Sequence, residues 1–316
     1  MTPLLALLLV ACASGPSPAP DAAPGRTPVR VALNWVPEPE FGGFYEALLS
    51  GAYAARGLDV TLLPGGPGAP TLELLESGKA EVALTAADDL LVKRARGVRA
   101  IGVFPSFQDS PTGLMAHASS GITRFEDIAA RPAPRVALEI GAPFASFLWA
   151  RFGWEGKVAQ VPTSGGIGAF LADPAAIQQA YITAEPCVAR SRGVETTFLP
   201  AAAAGWNPYA ALAAVPDPPP PWADAFVAAT LDGWRAYLRS PDRANAEIAR
   251  LNPDLPAGVM GCVTEAQRPY VLGKDGLGAL APARMAEIGA ALQAQGLLPA
   301  GTDAAAAIVP RAGVQP

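Results

Sequence analysis

The sequence predicts an α/β protein with two lobes, followed by a helical region. From Val29 to about Leu199, short apolar runs alternate with helix-like segments. This alternation is typical of parallel βαβ units whose sheet is covered by helices on both faces. A second series of alternating strands and helices begins at Gly113, so we expect two successive α/β lobes. After the proline-rich run Pro216–Pro221 the pattern is helical, with no convincing strand.

The individual elements follow from the same patterns. Strands are predicted where short apolar runs lie between turn residues, at Val29–Leu33, Leu58–Leu63, Glu81–Thr85, Val98–Phe104, Gly113–His117, Arg135–Glu139, Lys157–Val161, Gln179–Ile182 and Thr196–Leu199. Helices are predicted at Phe44–Ala55, Thr71–Ser77, Ala87–Arg96, Phe125–Ala130, Pro143–Phe152, Gly166–Ala172, Pro186–Arg192, Trp222–Ser240, Asp242–Leu251, Thr264–Leu272 and Pro282–Gln295.

Composition excludes several classes of function. The chain has 316 residues, of which 51% are hydrophobic and 16% charged, so it is long enough and apolar enough to form two sizeable cores. The formal net charge is −5 without a basic block, which argues against nucleic-acid binding through phosphate neutralisation. A single histidine, His117, argues against a histidine-rich metal site and most acid–base hydrolases. We expect neither a metal nor a cofactor.

The N-terminus has the pattern of a targeting segment. The apolar run Leu4–Ala11 is far shorter than the roughly 20 residues of a membrane span. Leu9–Cys12 resembles the lipobox of bacterial lipoproteins, which predicts a signal peptide over residues 1–11 and lipidation of Cys12, although the usual Lys or Arg is missing upstream. Residues 12–28 then form a flexible tether. We expect a periplasmic or cell-envelope protein anchored by lipid; the alternative is an ordinary secretory signal with a chance cysteine.

Two further cysteines remain, Cys187 and Cys262. Outside the cytoplasm they are able to pair. They lie far apart without the spacing of a disulfide framework, so the sequence favours two buried free thiols.

The loop Asn34–Tyr45 follows the first predicted strand, where open α/β sheets bind small ligands. Trp35 offers a flat π-face, and Asn34 offers a donor and an acceptor. Gly42 and Gly43 allow the backbone to approach another group closely. One interpretation is a binding wall for a flat, partly polar molecule; the other is a hydrophobic turn packed under the next helix. The candidate ligand-binding residues here are Asn34, Trp35, Phe41, Phe44 and Tyr45.

Two strand-to-helix junctions supply further candidates. Thr85 and Asp88 lie where a strand runs into a helix, and either contact a ligand or cap the helix; for Asp88 alone, capping is favoured. Gly141 and Phe144 lie at the start of another helix. Free backbone N–H groups there are able to hold an anionic or carbonyl group, although many α/β proteins offer such a feature.

The last candidates lie near the end of the second lobe. Glu185 follows a short strand that contains Tyr181. Its carboxylate is able to accept two hydrogen bonds from an amidine-like edge, or simply to stabilise a helix N-terminus, which position alone favours. Trp206 and Tyr209 lie where the chain passes back to the first lobe, and either face the cleft or pack a hinge.

Five motifs together resemble one known family. They are NWVPEPEFGGFY, SGITRFEDIA, QQAYITAEP, GWNPYA and LGAL, within a match from about Val29 to Leu298. The chain is similar to periplasmic substrate-binding proteins of ABC importers, in the ThiY-like or SsuA-like branch that binds thiamine-pyrimidine precursors. That branch is related to the fungal enzymes that make the thiamine pyrimidine.

The resemblance implies a type II periplasmic-binding-protein fold with the ligand in a cleft between lobes. Lobe I would comprise residues 29–112 and 208–316, and lobe II residues 113–207. Trp35 would stack on the ligand, and Glu185 would accept hydrogen bonds from an aminopyrimidine edge. The implied partners are a heterocyclic solute and an ABC permease of the inner membrane, with the receptor itself a monomer.

Three alternatives stay open on the same scaffold. Relatives in this branch bind other flat heterocycles, including flavins. A sulfonate or nitrate receptor would favour Arg or Lys in the cleft, and the proposed walls contain no candidate Arg. The fungal synthases use a Lys that holds pyridoxal phosphate, an active-site His and a cysteine cluster. The motif Asn34–Tyr45 contains neither His nor Lys and no cysteine cluster occurs, so we expect a protein that is not an enzyme.

Overall fold

The computed structural model describes residues 25–163 and 166–315. It confirms the predicted α/β class with two lobes. The predicted signal peptide, the lipidation of Cys12 and most of the tether lie outside the described residues. Among the residues that are described, no helix has both the length and the apolar character needed to cross a membrane.

The chain forms ten strands among the described residues. They are β1 Thr27–Ala32, β2 Leu58–Leu63, β3 Val82–Thr85, β4 Ala100–Phe107, β5 Thr112–His117, β6 Arg135–Leu138, β7 Ala159–Pro162, β8 Ile177–Tyr181, β9 Thr196–Pro200 and β10 Ala210–Pro216. Each predicted strand overlaps one of these, although most of the ends differ by one to three residues.

The α-helices surround the two sheets. They are α1 Gly42–Leu49, α2 Thr71–Glu76, α3 Ala87–Ala95, α4 Glu126–Ala129, α5 Pro143–Phe152, α6 Gly168–Ala172, α7 Glu185–Ser191, α8 Ala223–Arg239, α9 Asp242–Leu251, α10 Met260–Leu272 and α11 Pro282–Ala294. The last four follow β10, as the helical pattern after Pro216–Pro221 predicts.

Each lobe contains one five-stranded sheet with a single reversed strand. In lobe I the order is β2-β1-β3-β10-β4, and β10 runs antiparallel to both neighbours while the other strands share one direction. In lobe II the order is β7-β6-β8-β5-β9, and β5 is the reversed strand. Because most strands share a direction, their carboxyl ends meet along one edge of each sheet.

The strand β10 was missed by the sequence analysis. Its sequence, AALAAVP, is rich in Ala, which has low β-propensity. It is a strand because the returning chain fits between β3 and β4, where Leu212 pairs with Thr85 on one side and with Pro105 on the other. Residues 210–215 are buried there, so the tertiary environment overrides the local preference.

The chain crosses between the lobes twice, and Asn207 joins the two crossings. The Ser110 N–H donates to Asn207 Oδ1 at 2.8 Å, and Asn207 Nδ2 donates to Asp109 Oδ1 at 2.9 Å. The Arg284 guanidinium of α11 donates to the Asn207 carbonyl oxygen at 2.8 Å and stacks 4.2 Å from the centre of the Tyr209 ring. These bonds hold the two crossings together as a single hinge and attach it to α11 of lobe I.

Helix α1 packs against α8 at very close range. A Cβ atom added at Gly42 would lie 2.2 Å from Tyr237 Cζ, and one at Gly43 would lie 2.2 Å from Trp234 Cδ2. The two glycines are therefore required by the close approach of aromatic rings. This confirms the expectation that the backbone at these positions meets another group closely.

The two cysteines form a disulfide bond, so the expectation of free thiols was wrong. Cys187 lies in α7 of lobe II and Cys262 in α10 of lobe I, with their Cα atoms 5.9 Å apart. Their sequence separation of 75 residues carried no sign of this pairing. Docking of α7 on the C-terminal helices brings them together beside the buried side chains of Val259 and Val263.

Candidate functional site

A cavity of about 420 Å³ lies between the lobes, at the carboxyl ends of strands from both sheets. Loops after β1 and β3 form the lobe I wall, and loops after β6 and β8 form the lobe II wall. The structure brings most of the predicted site residues to this cavity: Asn34, Trp35, Thr85, Asp88, Gly141, Phe144, Tyr181, Glu185 and Trp206.

Four predicted residues lie in hydrophobic cores instead. Phe41, Phe44 and Tyr45 are buried in lobe I, where the Phe44 ring contacts those of Phe104, Phe226 and Trp234. The chain turns into α1 at Gly42, which directs these aromatic side chains toward α8 and away from the cleft.

Tyr209 is the fourth of these residues. Its hydroxyl accepts a hydrogen bond from the Ala281 N–H at 3.1 Å, and its ring lies under Arg284. Tyr209 therefore packs the hinge, which was the second interpretation of that segment.

Trp35 is held at the cavity by a tight backbone contact. The Gly65 N–H donates to the Trp35 carbonyl oxygen at 3.0 Å, and a Cβ atom at Gly65 would lie only 2.0 Å from the Leu33 carbonyl oxygen. The Trp35 indole acts on the Glu38 carboxyl and lowers its pKa in part. The Trp35 ring packs against the lobe I core.

Helices α9 and α10 brace the same loop from behind. Asn252 Nδ2, just after α9, donates to the Pro37 carbonyl oxygen at 3.0 Å, and Gln267 Nε2 of α10 donates to the Pro39 carbonyl oxygen at 3.0 Å. The C-terminal helices therefore position the lobe I wall of the cavity.

Glu185 is the first residue of α7 and belongs to the lobe II wall. Its Oε2 accepts a hydrogen bond from the Tyr181 backbone N–H at 2.7 Å. Burial raises the pKa of this carboxyl to about 7, although that bond works in the opposite direction. Burial raises the pKa of the Tyr181 hydroxyl as well.

Glu38 and Glu40 place two further carboxyls opposite Glu185. Burial raises the pKa of Glu38 to about 8, and the negative charge of Glu185 adds to the effect. Burial raises the pKa of Glu40 well above its ordinary value, and the charges of Glu38 and Glu185 add to it. We call these three residues the cross-lobe carboxyls. They favour a positive charge or hydrogen-bond donors between the lobes.

A second acidic group lies at the start of α3. Burial, followed by the charge of Asp89, raises the pKa of Asp88 to about 7. Ala86, and not Asp88, is the N-cap of α3, although backbone N–H groups of the first turn of this helix partly lower the pKa of the Asp88 carboxyl. Asp88 Oδ1 is buried without a hydrogen-bond partner among the described residues. Across the cleft, Glu139 also carries a raised pKa, through burial and the charge of Asp89.

Sequence reasoning missed several cavity residues, chiefly Glu38, Glu40, Asp89 and Glu139. The first two were visible as the alternating PEPE of the opening loop, in which carboxyls are spaced by prolines. One basic side chain also reaches the cavity margin, Lys93, whose Nζ is paired with Glu73. In residues 25–163 and 166–315, no group of three or more His, Cys, Asp or Glu has an arrangement suited to a metal ion.

Solved structures of periplasmic binding proteins have the same architecture as this chain. The alkanesulfonate-binding protein SsuA from Xanthomonas axonopodis pv. citri superposes with a TM-score of 0.66 at 14% identity, covering 91% of this chain and 99% of that one. SsuA from Escherichia coli gives 0.65 at 15% identity, over 93% and 95% of the two chains. A Candida albicans protein described as having the generic periplasmic binding protein fold gives 0.59 at 17%, over 92% and 98%. The fold of the present chain is therefore the two-lobed periplasmic-binding-protein fold.

Sequence comparison identifies the family. The riboflavin-binding protein RibY of Chloroflexus aurantiacus is 28% identical, over 76% of this chain and 74% of that protein. A 4-amino-5-hydroxymethyl-2-methylpyrimidine phosphate synthase of Saccharomyces cerevisiae is 32% identical over 29% of this chain and 27% of the enzyme. The model of the family described as NMT1/THI5 like matches residues 38–244, more than half of the chain. The chain belongs to the NMT1/THI5-like family.

Proposed function

We propose that this protein is the extracytoplasmic solute-binding receptor of an ABC importer, and that it captures a flat N-heterocycle in the cleft between its lobes. The best candidate solute is a thiamine pyrimidine precursor. The observation that carries the proposal is the composition of the cleft: Trp35 offers an aromatic face from lobe I, and Glu185 offers a carboxyl from lobe II.

The polar groups of the cavity call for a ligand that donates hydrogen bonds. Asn34 Oδ1 and Asp88 Oδ1 are buried acceptors without a partner in the described part of the chain. Buried polar atoms are normally satisfied, so donors from a ligand would complete them. A protonated aminopyrimidine presents an amino group beside a ring N–H, and this pair of donors matches the two oxygens of the Glu185 carboxylate.

Capture would proceed by closure of the two lobes. A ligand that stacks on Trp35 and bonds to Glu185 contacts both lobes at once. It therefore binds the closed state better than the open state and shifts the population toward closure. A cationic ligand also favours the charged form of Glu38 and Glu185, whose pKa values burial raises in the empty cleft.

The side chains that line the cavity also argue against an anionic solute. Among the described residues, seven acidic ones line it, namely Glu38, Glu40, Glu73, Asp88, Asp89, Glu139 and Glu185. The basic residue at its margin, Lys93, is already paired with Glu73. A sulfonate or nitrate calls for cationic donors, and the charge of Lys93 is engaged by Glu73, so the likeness to SsuA concerns the fold alone.

Riboflavin is a second candidate solute. The relative from Chloroflexus aurantiacus is named a riboflavin-binding protein, and a cavity of about 420 Å³ lies in the range of sites for molecules of that kind. The polar edge of a flavin ring carries carbonyl acceptors beside its N–H, which match a carboxylate less well than two donors do. We therefore rank riboflavin below an aminopyrimidine.

A pyrimidine-synthesising enzyme is the alternative in a different class. Among the described residues, the single histidine lies away from the cavity, with its Nε2 2.7 Å from the Phe170 carbonyl oxygen. Such an enzyme needs a lysine at the cavity to form a Schiff base with pyridoxal phosphate, and among the described residues Lys93 is the candidate. Its ion pair with Glu73 leaves its amine protonated and weakly nucleophilic. We propose a receptor without a cofactor, and pyridoxal phosphate added to the protein should give no Schiff-base absorbance.

The cellular setting completes the proposal. A lipid on Cys12 and the tether that follows it would hold the receptor, as a monomer, beside an ABC permease in the inner membrane. Radiolabelled palmitate should then be incorporated by the full chain and not by a Cys12→Ala variant.

The decisive experiment is identification of the natural ligand. Native mass spectrometry of the full chain purified without added ligand should reveal a bound heterocycle. Calorimetry should then rank 4-amino-5-hydroxymethyl-2-methylpyrimidine above riboflavin, and show no binding of an alkanesulfonate at millimolar concentration. Tight binding of the alkanesulfonate, or of neither heterocycle, would overturn the proposed function.

A further inference from the structure

The disulfide bond connects the two lobes at one side of the cleft. Cys187 belongs to α7, the helix that begins with Glu185, and Cys262 belongs to α10 of lobe I. Cys187 is buried, and the apolar cluster around the bond includes Val259 and Val263. The bond is therefore a third covalent link between lobes that the backbone already joins twice at the hinge.

The disulfide lies well away from the hinge. At the hinge, the N–H groups of Gln108 and Asp109 donate to the Tyr270 carbonyl oxygen, near the C-terminal end of α10. Cys262 lies eight residues earlier in the same helix, which places it about 12 Å along the axis at 1.5 Å per residue. A link at this distance opposes rotation of one lobe away from the other.

The permitted movement at the disulfide is small. Bonded cysteines keep their Cα atoms within about 6.8 Å of each other, and here they are 5.9 Å apart. An increase of about 1 Å over a lever of about 12 Å corresponds to an opening of roughly 5°. The lobes are still free to rotate about the line that joins the hinge to the disulfide.

The sheet orders show which side of the cleft that rotation opens. In lobe II, α7 packs on β8 and β9, whereas β6 and β7 lie on the other side of β8. In lobe I, α10 packs on β4, which is the edge strand farthest from β2. The disulfide therefore closes the β4/β9 side of the cleft, and the β2/β7 side is left to open.

We propose that the Cys187–Cys262 disulfide is a strap that holds Glu185 against lobe I and confines opening of the cleft to its β2/β7 side. Solute then enters past the loop after β6, where Gly141 lines the cavity and the Ile140 side chain is 56% exposed. The entry of solute rests on the proposed function, whereas the restraint on the lobes does not.

The test compares the full chain with a Cys187→Ala/Cys262→Ala variant by hydroxyl-radical footprinting, without ligand. Met260, the first residue of α10, reports on the side of the cleft near the disulfide. Trp35 lines the cleft and reports on the cavity. Met285 and Trp234 are matched controls, fully buried in lobe I. In the variant we expect oxidation of both reporters to rise at least threefold with the controls unchanged. Reduction of the unmodified chain with dithiothreitol, followed by removal of the reductant without air before the exposure to radicals, should give the same result.

Each of the following three outcomes would contradict the proposal that the disulfide acts as a strap. Unchanged reporters would show that noncovalent contacts alone hold this side closed. An equal rise in Met285 and Trp234 would show that the bond only stabilises the fold. Thiol titration of the denatured, unreduced chain that finds Cys187 and Cys262 free would remove its basis.

A kinetic measurement then connects the strap to solute exchange. With 4-amino-5-hydroxymethyl-2-methylpyrimidine as the probe, stopped-flow tryptophan fluorescence should show dissociation at least fivefold faster in the double variant. Failure of the unmodified chain to bind this probe or riboflavin would count against the proposed function, while the footprinting result would still decide the strap. Equal dissociation rates in two proteins that both bind would overturn the strap's role in exchange.

Discussion

Trp35 of lobe I and Glu185 of lobe II line the same cavity and are connected through Glu38. The Trp35 indole lowers the pKa of the Glu38 carboxyl in part, and the charge of Glu185 contributes to its rise. An aromatic ring and a carboxyl thus meet across the interlobe cleft. This pair is the arrangement that a flat heterocycle with donor groups would bridge.

Removal of the Trp35 ring should weaken ligand binding. Stacking of a heterocyclic base on an aromatic side chain contributes about 1–3 kcal/mol, so Trp35→Ala should raise the Kd about 5- to 150-fold. Calorimetry with 4-amino-5-hydroxymethyl-2-methylpyrimidine and with riboflavin measures the change. Trp222→Ala is the matched control, because Trp222 is also half-buried in lobe I but packs on Phe226 away from the cavity. An unchanged Kd in Trp35→Ala would remove the stacking role.

Replacement of Glu185 by glutamine should discriminate between the two candidate solutes. Gln keeps the size of the side chain but loses the charge that pairs with two donors, which costs about 1.5–3 kcal/mol. For the aminopyrimidine the Kd should rise roughly 10- to 150-fold, with a smaller effect on riboflavin. Glu155→Gln, at an exposed position of lobe II outside the cavity, is the control. Equal losses for both ligands would contradict a specific role in binding the aminopyrimidine edge.

The ligand-free protein should become less stable as the pH rises from about 4.5 to about 8. The pKa values of Glu185 and Asp88 are raised to about 7, and that of Glu38 to about 8, chiefly by burial. In this window the folded chain holds protons that the unfolded chain has released, so the free energy of unfolding falls with increasing pH.

Thermal denaturation between pH 5 and pH 8 measures this dependence. The decrease of the melting temperature with rising pH should be smaller in Asp88→Asn, which carries no titrating carboxyl at that position. Groups with a lowered pKa, such as Glu73 and Glu81, act in the opposite sense only below about pH 4.5. A midpoint that rises steadily from pH 5 to pH 8 would be incompatible with buried, protonated cleft carboxyls.

Alanine at Gly42 should destabilise the fold without altering the cleft. The added Cβ would lie 2.2 Å from Tyr237 Cζ, and overpacking of this kind costs about 1–3 kcal/mol. Urea denaturation measures the loss, and the Kd of the folded fraction should stay unchanged. Gly261→Ala is the control, because a Cβ there meets no atom within 4 Å and lies within α10. A Gly42→Ala chain of unchanged stability would contradict the tight contact between α1 and α8.

Local patterns were sufficient for most of the secondary structure, because strand and helix periodicities depend on neighbouring residues. Residues 58–63, 143–152 and 242–251 form the predicted elements without any change in their ends. Strand β10 was not predictable in this way, because its alanines have little preference of their own and gain a strand geometry only between β3 and β4.

The loop Asn34–Tyr45 divides into two parts that its sequence did not distinguish. Asn34 and Trp35 line the cavity, whereas Phe41 and Phe44 pack in the lobe I core. Both parts are aromatic, and only the turn into α1 at Gly42 sends them in opposite directions. Glu38 and Glu40 were visible in the same loop, but their importance depends on facing Glu185, which lies far along the chain.

The sequence by itself determined the α/β class, the two successive lobes, and the family motifs that single out Trp35 and Glu185. Only the tertiary structure decided that Cys187 bonds to Cys262, that carboxyls of both lobes share one buried cleft, and that Tyr209 packs a hinge. The physical reason is range: helix and strand formation depends on residues a few positions apart, whereas a disulfide or a raised pKa depends on groups that approach only when the lobes dock.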